Sequence, residues 1–408
     1  MKILSLTVGF LLFSIVAFTQ KSPGFKSGQW IGNLQLNEQI FLPFSMEFKN
    51  SKDNCYGIII NGDEVIELGK INSINDTFHI PFPIFNTEIV FTVKDKKTIT
   101  GSWHNYNKVN YSIPFVANYS KQNRFPKEKN KLKKDFSGKW ETVFSKDGKD
   151  TYPALGVFKQ TDDKISGTFL TETGDYRYLD GNVYGDKLYL SCFDGSHAFL
   201  FTAQENEKGE LDGKFYSGKH WNSEWTAKHN EFYSLPNPDS ITYVKDDAPS
   251  LTFEVKDLKG KPYAYPNKAV LGKVVIIQLM GTWCPNCLDE TDYFKQLYDK
   301  YHAQGLEIIS IGYEVGDDFN KHVDRISTFK NKLDLDFTFL VGGSANKGTA
   351  SKQFSALNEV ISFPTSIFIG RDGQIKRIHT GFNGPGTGEY YKEYVEKTDE
   401  LIKSMIEE

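Results

Sequence analysis

Val274-Val275-Ile276-Ile277-Gln278-Leu279-Met280-Gly281-Thr282-Trp283-Cys284-Pro285-Asn286-Cys287 is the stretch on which the reading of this 408-residue chain turns. Its first seven residues form an apolar run that reads as a strand. Pro285 opens a segment in which Phe294, Leu297, Tyr298 and Tyr301 share one face at helical spacing. Two cysteines separated by two residues at such a strand-to-helix junction can close and open a small disulfide ring. The first, Cys284, lies over the helix N-terminus, where unsatisfied N–H groups and the macrodipole favour an anionic sulfur. That thiolate attacks disulfides, and the second, Cys287, closes the ring. The competing reading is half a zinc site, but neither another CxxC nor a close His pair accompanies it. No metal is therefore expected, and the exchange chemistry calls for no cofactor.

Outward from this stretch, the chain from 248 onward alternates β and α. Strands are expected at 306–313 and 336–341, and helices at 319–330 and 390–406. A hairpin is expected from 367–369 to 375–379 across Arg371-Asp372-Gly373. Gly384-Pro385-Gly386-Thr387-Gly388 fits neither a dinucleotide fingerprint nor a P-loop and reads as a flexible loop.

The first half repeats itself. Phe25-Lys26-Ser27-Gly28-Gln29-Trp30 is echoed by Asp135-Phe136-Ser137-Gly138-Lys139-Trp140, and Thr100-Gly101-Ser102-Trp103 by Asp212-Gly213-Lys214-Phe215. The glycines are offset by 110 residues (28 to 138) and 112 residues (101 to 213). Within the second copy, seven short alternating segments between 154 and 229 are separated by turn dipeptides such as Asp162-Asp163, Gly185-Asp186 and Lys208-Gly209. Two antiparallel β-meander units, barrel or sandwich, followed by an α/β domain are the expected fold class. The Gly-x-Trp openings resemble those of lipocalin-type barrels.

The N-terminus carries Lys2, an apolar run from Ile3 to Phe18, and small residues Ala17 and Thr19 at the −3 and −1 positions of a cut before Gln20. This describes a secretory signal over 1–19. The run falls short of the ~20 residues that a spanning helix needs, so no membrane span is expected in the mature chain. The expected units are then 22–120, 134–232 and 246–408. The segment Lys121–Lys134, rich in basic residues, reads as a solvated linker, and a second linker runs through Leu235-Pro236-Asn237-Pro238 to Asp246-Asp247. A net charge of −4 gives no reason to expect nucleic acid. Besides the CxxC pair, only Cys55 and Cys192 remain, and sequence leaves open whether they bond.

Residues 247–408 resemble the TlpA/ResA-type exported thioredoxin-like disulfide reductases. The resemblance rests on Asp247-Ala248-Pro249, Leu258-Lys259-Gly260-Lys261, Gly281-Thr282-Trp283-Cys284, Phe363-Pro364-Thr365 and Gly370-Arg371-Asp372-Gly373. It implies a thioredoxin-like fold, an exposed nucleophile at Cys284, a resolving thiol at Cys287 and a cis-proline at Pro364. It also implies an acidic residue, Glu290, below the redox pair, where a carboxylate can move protons to or from Cys287. Four departures stand out: Thr291-Asp292 where the family commonly has a Pro, Gln278 on the preceding strand, Met280 in place of an aromatic, and a segment from Gly342 to Glu359 longer than typical.

The implied function is periplasmic or otherwise extracytoplasmic thiol–disulfide exchange on client proteins, with electrons from a membrane thiol donor of the DsbD/CcdA kind. A thiol peroxidase is the second reading. Peroxiredoxins resemble Pro-x-x-x-Thr-x-x-Cys, and here Ile277 and Gly281 stand in place of the Pro and the Thr. A third reading makes the β units a ligand- or client-binding half with the redox domain as effector.

Overall fold

The computed structural model describes residues 24–50, 54–127, 134–146, 149–246 and 250–408. The expected signal segment 1–19, the leader Asp247-Ala248-Pro249 and residues 128–133 of the basic linker lie outside the described residues.

The first repeat is a closed up-and-down barrel of eight strands: β1 (Gly28–Gln35), β2 (Phe41–Asn50), β3 (Cys55–Asn61), β4 (Glu64–Ile74), β5 (Thr77–Phe82), β6 (Thr87–Asp95), β7 (Thr98–Asn105) and β8 (Tyr111–Tyr119). Every neighbour pair is antiparallel, and β1 closes on β8 with Trp30 opposite Tyr119. Alternation drives this closure. On β1 and β2, Trp30, Leu34, Leu42, Phe44, Met46 and Phe48 point inward and are fully buried, while Ile31, Asn33, Ser45 and Glu47 alternate with them on the less buried face.

The second repeat comprises β9 (Gly138–Lys146), β10 (Lys149–Thr161), β11 (Lys164–Thr171), β12 (Gly174–Asp175), β13 (Leu179–Tyr184), β14 (Lys187–Phe193), β15 (Ala198–Glu205), β16 (Leu211–Ser217) and β17 (Trp221–His229). It also closes: β9 pairs with both β10 and β17, and β10 pairs with β11. The short β12 lies outside the ring as an appendix on the end of β11. The expected meander units are thus two barrels. Closure leaves no unpaired sheet edge in either ring, and both interiors are filled with aromatic rings.

The duplication extends to single bonds. Trp30 Nε1 donates to Lys26 O at 3.0 Å, and Trp140 Nε1 donates to Phe136 O at 2.9 Å, each four residues back. Ser27 Oγ accepts from Asn50 N, and Ser137 Oγ accepts from Gln160 N, at 2.9 and 3.1 Å.

The barrels lock end to side. Phe193 enters the aromatic core of the first barrel, 4.6 Å from Phe44 and 5.4 Å from Trp103, centroid to centroid. The stretch expected to be a solvated linker takes part. Arg124 is buried, bonded to Ser191 O at 2.9 Å and paired with Asp180 at 3.0 Å. Phe125 is buried beside it. A charged side chain is held there because a carboxylate and carbonyls meet it.

The third unit is a seven-stranded mixed sheet with helices. Its strands are β18 (Phe253–Asp257), β19 (Pro262–Tyr265), β20 (Val274–Met280), β21 (Leu306–Glu314), β22 (Thr338–Ser344), β23 (Thr365–Ile369) and β24 (Ile375–Thr380), in spatial order β19-β18-β22-β21-β20-β23-β24. Its helices are α1 (Pro285–Tyr301), α2 (Phe319–Lys332), α3 (Lys347–Gln353) and α4 (Glu389–Glu407). β20 is central and buried at every residue, as its apolar run requires. The second linker is docked rather than free: Val244 bridges to Leu357, and Asp239 meets His379 Nδ1 at 2.6 Å. No helix among the described residues is long and apolar enough to cross a membrane.

Candidate functional site

The CxxC pair sits where β20 gives way to α1. Cys284 is the N-cap, in extended conformation, and its Sγ accepts from Cys287 N at 3.2 Å, satisfying one of the helix's free donors. Pro285 takes the first helical turn, where its missing N–H costs nothing. The loop before it is pinned from below. Buried Glu314, at the end of β21, accepts from Thr282 N at 2.9 Å and from Thr282 Oγ1 at 2.8 Å. Trp283 Nε1 donates to Tyr313 O at 2.9 Å.

The Phe363–Pro364 peptide is cis, and it faces the pair: Cys284 Sγ stands 3.6 Å from Phe363 O. The Phe363 ring stacks on Tyr313 at 4.9 Å. All four cysteines are free, and Cys55 and Cys192 are buried in separate barrels. Burial and the neighbouring Cys284 hold the Cys287 thiol well above its ordinary pKa, and the Glu290 charge adds to this.

Glu290 is fully buried rather than solvated. It accepts from Gln278 Nε2 at 2.9 Å, Ser366 Oγ at 3.0 Å and Tyr394 OH at 3.3 Å. Burial outweighs these donors and pushes its carboxyl up to about 7. Two of the sequence departures prove to be coupled here. Gln278 also donates to Thr291 Oγ1 at 3.1 Å, and Thr291 Oγ1 donates to Cys287 O at 2.7 Å. Gln278 Oε1 accepts from Ser310 Oγ at 2.7 Å. A polar thread therefore runs from the β20 strand through the helix to the second cysteine.

One expectation needs correction. Cys284 is only 7% exposed, not an open nucleophile. Its sulfur lies against the redox unit's own Phe363 O and Cys287 N, and the second barrel bonds the residues around it. Ser196 Oγ donates to Trp283 O at 3.0 Å, Asn286 Nδ2 donates to Asp175 O at 3.1 Å, and Ser362 Oγ donates to Thr173 O at 2.9 Å. The glycine-rich loop expected to be flexible is likewise docked, as a 3-10 turn at Pro385–Thr387. Gly384 N donates to the Asp175 carboxylate at 2.6 Å.

Sequence reasoning passed over Arg177. Its guanidinium joins all three units: Glu64 of the first barrel at 2.5 Å, Asp194 of the second at 3.3 Å, and Asp289 of α1. It also donates to Pro285 O at 3.2 Å, in the first turn of the CxxC helix. Asp289, half-buried, is pushed up to about 7 by desolvation despite that arginine. No local pattern marks Arg177, because its partners lie 113, 17 and 112 residues away.

Matches to known proteins fall on the redox unit. The AhpC/TSA family model matches residues 244–378. Thiol-disulfide oxidoreductase ResA of Bacillus thuringiensis is 32% identical over 154 residues, covering 38% of this chain and 78% of the relative. ResA of Halalkalibacterium halodurans is 29% identical over 154 residues, covering 38% of this chain and 75% of the relative. Among solved structures, a thiol:disulfide interchange protein of the thioredoxin family from Chlorobium tepidum aligns at 15% identity and a TM-score of 0.29. That alignment spans 40% of this chain and 99% of the other.

Proposed function

Since the chain belongs to the ResA family of thiol-disulfide oxidoreductases, we propose that it works outside the cytoplasm, reducing disulfides of client proteins through the Cys284/Cys287 couple. The observation that carries this reading is the arrangement of the two sulfurs. One caps a helix N-terminus against the cis Phe363–Pro364 peptide, and the other is buried one turn in. The apolar leader Ile3–Phe18 supports export.

The exchange runs in two displacements. The Cys284 thiolate attacks one client sulfur; a Cys284–client disulfide forms, and the other client sulfur leaves as a thiolate. Cys287 then loses its proton and attacks Cys284 Sγ. The Cys284–Cys287 bond forms, the second client thiolate leaves, and two electrons have passed to the client. Burial holds Cys287 protonated, so resolution needs a base. Glu290, one turn along the same helix and titrating near 7, fits that role. Phe363-Pro364 offers backbone to the client chain. The oxidised pair is reset by a dithiol donor, for which a membrane protein of the DsbD/CcdA kind is our proposal.

Cys287→Ser should trap Cys284–client mixed disulfides, and Cys284→Ser should abolish insulin-disulfide reduction. Equilibration with dithiothreitol should give a potential near or below about −270 mV. A value near about −120 mV would reverse the direction of transfer, and absence of a two-electron couple would end this reading.

The AhpC/TSA match favours one competing reading, a thiol peroxidase. Against it, Ile277 and Gly281 stand where that chemistry has Pro and Thr. Fast peroxide consumption surviving Cys287→Ser would favour it.

A further inference from the structure

The second barrel reaches the redox unit through two of its turns, and both end at the CxxC pair. The first is the Thr171–Asp175 segment that joins β11 to β12. Thr173 O accepts from Ser362 Oγ, two residues before the cis proline. Its main chain lies so close to Gly381 that a Cβ there would stand 2.7 Å from the Thr173 carbonyl carbon. Gly174 is equally tight, since a Cβ on it would meet Asn286 Nδ2 at 2.7 Å. Asp175 O then accepts from Asn286, between the two cysteines, and its carboxylate accepts from Gly384 N. The second turn is Asp194–His197, held by the Asp194 carboxylate accepting from Ser196 N and His197 N at 2.8 and 2.6 Å. From it Ser196 Oγ reaches Trp283 O. The residues beside Cys284 on three sides (Trp283, Asn286 and the segment before Pro364) are thus each bonded by the barrel.

From this we infer that the second barrel is an autoinhibitory cover: the Thr171–Asp175 segment occupies the ground beside Phe363-Pro364 that a client chain would take, and protein disulfides reach Cys284 only after the cover lifts. The inference rests on the disulfide-exchange reading above and adds its regulation. The cover is fastened by few directional bonds, side chain to main chain apart from the Arg177–Asp289 ion pair, which is the make-up of a contact that can open without unfolding either unit. Arg177 is its latch. It follows the segment directly, bears on Asp194 of the second turn, and binds Asp289 and Pro285 O on the CxxC helix. Its backbone holds φ at +58°, a conformation uncommon outside glycine and maintained here by the surrounding contacts.

The test is the alkylation rate of Cys284 by iodoacetamide in the reduced full chain, read by peptide mass spectrometry. It is compared with the same chain unfolded in guanidinium and with the double variant Asp175→Ala/Ser196→Ala. Native Cys284 should react at least tenfold more slowly than in the unfolded chain, and the double variant should recover tenfold or more. Reduction of insulin relative to a small aromatic disulfide should rise in that variant, while its equilibrium constant with dithiothreitol changes less than twofold. Arg177→Lys, which keeps the charge, gives a second loosened cover should the double variant not fold. A native rate equal to the unfolded one overturns the cover on wild-type protein alone. Folded variants that alkylate at the wild-type rate overturn it as well. Absence of a two-electron couple in wild type and variants alike would instead remove the exchange reading itself.

Discussion

Glu290 receives three hydrogen bonds and still titrates near 7, because the desolvation of a fully buried carboxylate exceeds what three neutral donors return. Glu314, below the Thr282 loop, is pushed up to about 7 for the same reason. The ordinary value for both is 4.5, so between about pH 4.5 and 7 the native chain keeps protons that the unfolded chain has lost. Stability contributed by these groups is therefore present below that window and falls as pH rises through it, by up to about 3 kcal/mol apiece. Thermal unfolding should show a lower midpoint at pH 8 than at pH 5.5, and Glu290→Gln should remove a large part of that difference. An unchanged slope in the variant would mean that Glu290 is already ionised at pH 5.5.

Strands and turns account for the repeated glycines. Gly101 and Gly213 occupy matching places in the two barrels, and neither has room for a side chain. A Cβ on Gly101 would lie 1.9 Å from Val90 O across the ladder, and one on Gly213 would lie 2.2 Å from the Trp225 ring. Both glycines serve close approach rather than turn geometry. Gly101→Ala and Gly213→Ala should each cost about 1–3 kcal/mol in urea unfolding, with Gly101→Ala the worse because a backbone carbonyl cannot rotate away. Equal midpoints for variant and parent would show that the strands can spread at little cost. At this scale the reading from residues was close. The Lys164–Thr171 and Lys187–Phe193 strands and the Arg371-Asp372-Gly373 hairpin have the expected bounds or nearly so, since period-two alternation between turn dipeptides is a local signal.

Across the whole molecule, one arginine and three carboxylates sit at the meeting of three units. Replacing Arg177 by Met would leave the buried Asp194 and the half-buried Glu64 and Asp289 around an apolar chain, a loss of about 3–5 kcal/mol. Calorimetry on Arg177→Met should show the barrels and the redox unit melting at separate temperatures, with a larger radius of gyration in scattering. A single unshifted transition would show that the apolar contacts alone join the units. Domain docking of this kind is also why the linkers differ from expectation. Arg124 sits in a basic stretch that read as a solvated linker and Asp239 in a proline-rich stretch that read as a linker, yet each finds a partner, Asp180 and His379, far along the chain.

Sequence by itself determined the redox unit as a fold, the first half as two antiparallel meanders with barrel or sandwich left open, and the position of the CxxC pair at a strand-to-helix junction. Apolar period, turn chemistry and a tetrapeptide at a helix start all act between near neighbours. It also singled out Glu290, Gln278 and Thr291, though only as separate oddities. Packing makes them one thread, because the hydrogen bonds that join them cross from β20 to α1 and β21. What only the tertiary structure decided is the cover on Cys284 and the arginine that fastens it. Those contacts pair residues 87 to 189 positions apart, through main-chain carbonyls and buried charges whose partners no local pattern specifies.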